Sequence, residues 1–333
     1  MDKKAKTKDL IGRIIKVAIL PVFVYVLFLI LSRGTFGTAR SIDNLIKGCL
    51  YSTALSWGFM ILWTSGMMDM SGAATMLLGI VIGGNVAKIL NLGEIGMIVC
   101  IIAFCIGLST LAGTIVTKLK LPAMAASFGI MMAYEALTQV LFNAQGFGTN
   151  YYTLALPPYC YIALIIAAVV IVILLNFTKI GRHMRAMGKS PELTKSMGIS
   201  IDRTKILTYT IAGVFIGIAA VMFITRSGKL SAVTEMMSFM YAMNAIMGVV
   251  IGMFLSVYCD KILATFIGTI VMNMLSMGLL SIGIPALQQS IYQSIFLLAF
   301  MIYSTNQYRV MQYFHNRKRG KEVQAKISKS AAN

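Results

Sequence analysis

The stretch Lys179–Lys205, KIGRHMRAMGKSPELTKSMGISIDRTK, is stranded between two long apolar segments and is the longest charged interruption between the termini. Seven of its residues are basic (Lys179, Arg182, Arg185, Lys189, Lys195, Arg203, Lys205) against Glu192 and Asp202. An excess of that sign between apolar runs belongs on the cytoplasmic side of a membrane. The rest of the chain agrees with a membrane setting. Of its 333 residues, 58% are hydrophobic and only 12% are charged, which excludes a soluble domain with a polar surface.

A helix needs roughly 20 apolar residues to cross the hydrocarbon core. Ten segments qualify as candidates, centred near Tyr25, Leu55, Gly79, Ala103, Met132, Ala168, Phe215, Val249, Thr269 and Phe296. None alternates with period two, so a helical bundle, which satisfies its own backbone, is expected rather than a barrel of strands. The expected fold class is therefore all-α: a polytopic membrane bundle of about ten transmembrane helices with both termini cytoplasmic. With that orientation 23 of the 29 basic residues fall inside, and Arg33, Arg40, Lys47, Lys88, Arg226 and Lys229 remain outside. Topology thus explains the net charge of +18, and no nucleic-acid partner is implied. The basic segment 1–16 and the basic tail 306–333 lie outside the membrane domain, 17–305. The apolar run from Val17 meets no small-residue cleavage site before Arg33 and reads as a retained first helix.

The five cysteines (Cys49, Cys100, Cys105, Cys160, Cys259) have no CxxC spacing and the two histidines, His183 and His315, lie in polar segments, so neither a disulfide framework nor a metal site is expected. Gly188-Lys189-Ser190 is not a phosphate loop, since His183 stands where the leading glycine is needed and no strand precedes it. No catalytic residues are identified. A lipid-modifying enzyme finds no nucleophile-base pair here.

Inside the island, Ser190 is an expected N-cap, Pro191 the first helical position, Glu192 a favourable first-turn acid and Gly198 a C-terminal stop. These signals predict a short helix over Pro191–Met197. The pattern Gly181-Arg182, Ala186-Met187-Gly188, Ser190-Pro191-Glu192 and Gly198-Ile199 resembles the coupling loop of ATP-binding-cassette permeases of the ribose and branched-chain amino acid type. Ser65-Gly66-Met67-Met68-Asp69-Met70-Ser71 and Ala125-Ala126-Ser127-Phe128-Gly129 resemble two further segments of that family, with Met67 in place of a usual glycine and Glu135 in place of a common arginine. Only Gly252 remains of a second glycine-rich turn.

The resemblance implies a permease domain over 17–305 with a coupling loop at 179–205. It also implies that a glycine-arginine pair ends a membrane helix, and that the short helix sits in a cleft of a separate ATPase subunit. Gly181, Arg182, Gly188, Pro191, Glu192, Leu193, Met197 and Gly198 are the expected coupling residues. ATP would be hydrolysed by that partner and no cofactor bound by this chain. The other implied partners are a second permease subunit, identical or merely similar, and an extracytoplasmic solute-binding protein that meets outer loops such as Asn143–Pro158. A monosaccharide is the expected cargo, ahead of nucleosides and branched-chain amino acids.

Polar residues inside apolar segments are candidates for the pathway because burying them in lipid is unfavourable. They are Asp69, Asn85, Glu135, Gln139, Asn244 and Asn273, with Met68 beside the first. Each has a second reading as an interhelical hydrogen bond. A rival function, a secondary transporter, would bind its coupling ion at Glu135 or Asp69. The stretch Thr64–Gly72 reads either as backbone leaving helical geometry at membrane depth or as a tight cytoplasmic turn. The glycine pairs Gly79/Gly83, Gly213/Gly217 and Gly248/Gly252 read as close helix contacts.

Overall fold

A computed structural model describes residues 3–306 except 154, 155, 157, 286 and 287, and gives the backbone alone for 3–11 and 13. The basic tail expected beyond Tyr308 lies outside the described residues. The chain up to Gly283 forms one compact unit and the chain from Ile284 a second.

In the first unit the long helices are α1 (Lys3–Leu31), α2 (Ala39–Thr64), α3 (Gly72–Ile89), α4 (Gly93–Lys118), α5 (Ala123–Val140) and α6 (Tyr159–Phe177). The island supplies α7 (Lys179–Lys189) and α8 (Pro191–Ser196), and α9 (Ile201–Ser227), α10 (Met237–Leu255) and α11 (Lys261–Ser281) complete it. Among the described residues nine helices are long and apolar enough to cross a membrane. The second unit carries a helix over 288–306 where the tenth span is expected. Gln288, Gln289 and Gln293 dilute its apolar run, and it is not among the nine.

All three glycine pairs are close helix contacts. A Cβ on Gly83 of α3 would stand 2.6 Å from Cα of Ile101 in α4, and Gly213 and Gly217 of α9 bring their backbones against the same helix at Ile106 and Ile102. On α10, Gly252 packs against Thr265 of α11 and Gly248 against Thr269. In lipid, where water does not drive apolar faces together, such backbone-to-backbone approach is what holds helices side by side. Hydrogen bonds add to it: Ser109 Oγ donates to the Tyr209 carbonyl (2.7 Å), and Ser56 Oγ donates to that of Ala245 (3.1 Å).

Two sequence expectations shift in detail. Pro122 is the N-cap of α5 rather than its first helical residue, with an extended ψ of 123°. The all-α reading also misses a small antiparallel ladder, β1 (Phe147–Gly148) with β2 (Lys229–Leu230), where two outer connections meet. Two residues are too few for period-two alternation to register. The ladder is fixed to α3, since Asn85 Nδ2 donates to the Gly146 carbonyl (2.8 Å) and the Phe147 ring lies over Gly84. The outer loop Asn143–Pro158 is therefore tied down at its first half, and residues 154, 155 and 157 of it lie outside the described set.

Candidate functional site

The island folds into two helices separated by one extended residue, Ser190 (φ −156°, ψ 105°). At its start the chain leaves α6 at Thr178, whose backbone is extended (φ −93°, ψ 157°) and whose hydroxyl accepts from the Gly181 N–H (3.1 Å). Thr178 thus caps α7, and Gly181-Arg182 opens this new helix instead of ending the membrane helix, which corrects the expectation drawn from the family pattern. Threonine is a strong N-cap because its side chain satisfies an orphan first-turn N–H. Only glycine fits at 181, since a side chain there would run into the carbonyls of Leu174 and Leu175. The buried face of α7 is Gly181, Met184 and Met187, with Arg182 and Lys189 exposed.

The second helix, α8, ends at Ser196, with Met197 as its C-cap, one residue short of the expected range. Ser190 caps it, accepting from the Leu193 N–H (3.4 Å), and Pro191 and Glu192 hold the first turn. At the far end Gly198 takes φ +76°, Gly198 N–H donates to Lys195 and Ile199 N–H to Thr194, closing a Schellman-type stop. Thr194 is buried, whereas Leu193 is 66% exposed and Met197 62%. Two apolar side chains one turn apart therefore project from a short, firmly capped helix.

The island reaches the membrane domain through Gly188. A side chain at 188 would collide with the Thr64 carbonyl, and Gly66 faces Gly188 backbone to backbone. The end of α7 is thus pressed onto the irregular segment Ser65–Ser71 that separates α2 from α3. This segment is not helical, and it lies at the same end of the bundle as the island. Within it Ser65, Met67, Asp69 and Ser71 are buried. One oxygen of Asp69 accepts from the Ser71 N–H and Oγ (2.6 Å each), and the other accepts from the Tyr209 hydroxyl of α9 (2.6 Å). Burial pushes the Asp69 carboxyl above the usual carboxylate range, opposed by these three hydrogen bonds. Contact thus runs from α7 through the break to α9.

The pathway candidates are not brought together. Asp69 is sealed inside the break, while Met68 beside it is 53% exposed. Glu135 is buried and accepts from the backbone N–H groups of Met236 (2.9 Å) and Ser238 (2.7 Å), capping α10 from α5. Asn85 holds the outer loop. Asn273 bonds its own helix at Thr269 and accepts from Ser52 of α2 (3.4 Å). Asn244 is exposed and bonds only its own helix at Met240, and Gln139 is half-buried at the end of α5. The sequence reading missed Tyr209, since nothing local pairs it with Asp69. The Asp69–Ser71 spacing, in contrast, is a local turn signal open to inspection.

A multi-pass helical bundle with one capped, outward-facing helix folded from its longest polar interruption has the build of a membrane permease. Residues 41–305 match the family described as branched-chain amino acid transport system / permease component, and the chain belongs to it. It is 26% identical to the ribose import permease protein RbsC of Bacillus subtilis over 84% of this chain and 89% of that one. It is 27% identical to the galactose/methyl galactoside import permease protein MglC of Haemophilus influenzae over 64% and 68% of the two chains. With the fructose import permease protein FruG of Bifidobacterium longum it shares 23% identity over 84% and 88%. No solved structure matches it.

Proposed function

We propose that this chain is the membrane-spanning subunit of an ATP-driven importer for a monosaccharide. Its α8 seats in a separate ATPase subunit that supplies all nucleotide chemistry. The observation that carries the reading is the exposed pair Leu193 and Met197 on a helix capped at both ends, since a rigid apolar knob suits a cleft in a partner. The named cargoes of the relatives, ribose, galactose and fructose, support the substrate class. In this reading the island, the N-terminus and the tail face the cytoplasm. A second permease subunit completes the pathway, and a binding protein delivers solute to the outer side, where Lys88, Asn91, Thr149 and Tyr151 line a cavity of about 520 Å³.

ATP binding in the partner would move α8 and α7, and the Gly188–Gly66 contact would carry that displacement into the break between α2 and α3. The ion-coupled alternative would use Glu135 or Asp69, and each already serves as a hydrogen-bond acceptor within the bundle. The test is uptake of labelled ribose, galactose and fructose together with recovery of co-purifying chains, comparing wild type with Leu193→Glu/Met197→Glu. These side chains are exposed, so the variant is expected to fold. ATP-dependent uptake and ATPase recovery are both expected to fall at least tenfold, as for loss of a central apolar anchor. Unchanged uptake and recovery would sink the assignment.

A further inference from the structure

A cavity of about 650 Å³ opens where the end of α7 meets the ends of α2 and α10 and the start of α11. Three cations line it, Arg185 and Lys189 from α7 and Lys261 from α11, and no acidic residue does. Arg185 and Lys189 are one turn apart on α7, a spacing at which like charges disfavour the helix. Lys261, far away in sequence, is brought to the same opening by the α10–α11 connection. None of the three has an ion-pair partner: the one ion pair among the described residues is Lys47 with Asp43. Asp260, next to Lys261, is the N-cap of α11 with no side-chain capping bond, and it does not line the cavity. The remaining wall includes Trp63, Ser256 and Thr265.

We propose that this cavity is a binding site for a phosphate-bearing anion. The reasoning is electrostatic and geometric. Positive-inside topology accounts for basic residues at this end of the protein, but not for their convergence on one concave opening without a counter-ion. A guanidinium beside two ammonium groups is the donor set that a phosphate fits, with the arginine fork binding two oxygens and the lysines neutralising charge. The volume exceeds what inorganic phosphate needs, and the apolar part of the wall, Met60, Val249 and Met253, suits an attached organic group. An anionic phospholipid headgroup and a soluble phosphorylated compound present the same chemistry. This site is independent of the transport reading, because its occupancy is measured on the isolated chain.

Trp63 in the wall is the optical reporter. The full chain in neutral detergent is titrated with inorganic phosphate at constant ionic strength, and separately placed in phosphatidylcholine nanodiscs with and without phosphatidylglycerol. A saturable change in tryptophan emission, absent in Trp63→Phe, is expected. The half-saturation point should rise about tenfold or more in Arg185→Gln/Lys261→Gln, the scale of a lost charge-assisted hydrogen bond. A response to phosphate in detergent identifies a soluble ligand, and a response confined to phosphatidylglycerol nanodiscs identifies lipid. Should the double variant fail to fold, Lys189→Gln, on an exposed side chain, gives the same readout with a smaller shift. No saturable change with either probe overturns the proposal. So does a change that the charge variants leave intact.

Discussion

Two short helical starts in this molecule are capped in opposite ways. The island helix α8 is finished by its own neighbours, Ser190 in front and Gly198 behind. The start of α10 has no local cap: Met236 sits at φ +59° with no side-chain bond, and Glu135, 101 residues earlier, reaches across from α5 to take the Met236 and Ser238 N–H groups. Thr138, one turn along α5, accepts from the Val233 N–H and donates to its carbonyl. A helix capped by its own neighbours, as α8 is, carries its stability with it, which suits the proposed docking role. A helix that must stay in the bundle borrows stability from another, and so joins its position to that of α5.

The largest effect that tests this contrast is expected at Glu135. Glu135→Ala leaves the buried Ser238 N–H and the part-buried Met236 N–H without their acceptor and should lower stability by about 3 kcal/mol, read by thermal unfolding in detergent. Glu135→Gln keeps an acceptor oxygen and should lose about half of that. Wild-type melting in both would mean that α10 needs no help from α5. Next comes Gly188→Ala, where the new methyl meets the Thr64 carbonyl. A destabilisation of about 2 kcal/mol with loss of solute uptake is expected. Gly129→Ala, with open space around its Cβ, is the neutral control. The smallest change is Ser190→Ala, about 1 kcal/mol and confined to α8. Hydrogen exchange at the Leu193 amide reports it directly, and faster exchange spreading into α7 would show that the island behaves as a single piece.

The same contrast explains what the sequence could reveal. The cap, stop and length of α8 are written in consecutive residues, so they are legible to within one position. The α7 corner was not, because its cap is a threonine between two runs that both look helical, and Gly181-Arg182 reads equally well as an ending or a beginning. The glycine pairs announce close packing by spacing alone. The partners of Asp69 and Glu135 are invisible in one dimension: Tyr209 lies 140 residues from Asp69, and a carboxylate in an apolar segment looks the same whether it binds cargo or a backbone amide. The ladder at Phe147–Gly148 is too short to leave a pattern, and it depends on residues that meet only after α3, α5 and α9 are in place.

Glycine contacts decide which helices of the bundle can shift against one another. Helix α4 is gripped by α3 and by α9 along one stretch, with Cys105 against glycines of both, and α10 is gripped by α11, each where a glycine lets the helices approach closely. A bundle built this way has little freedom within either group, and a displacement arriving at the α2–α3 break would not be absorbed by loosening α3 from α4. Other helix pairs are joined by side-chain hydrogen bonds, Ser56 to Ala245 and Glu135 to the start of α10. Helix α2 touches both groups, with Gly58 close to Ile216 of α9 and Trp57 donating to the Ile262 carbonyl of α11, so a displacement at its end would be felt by both.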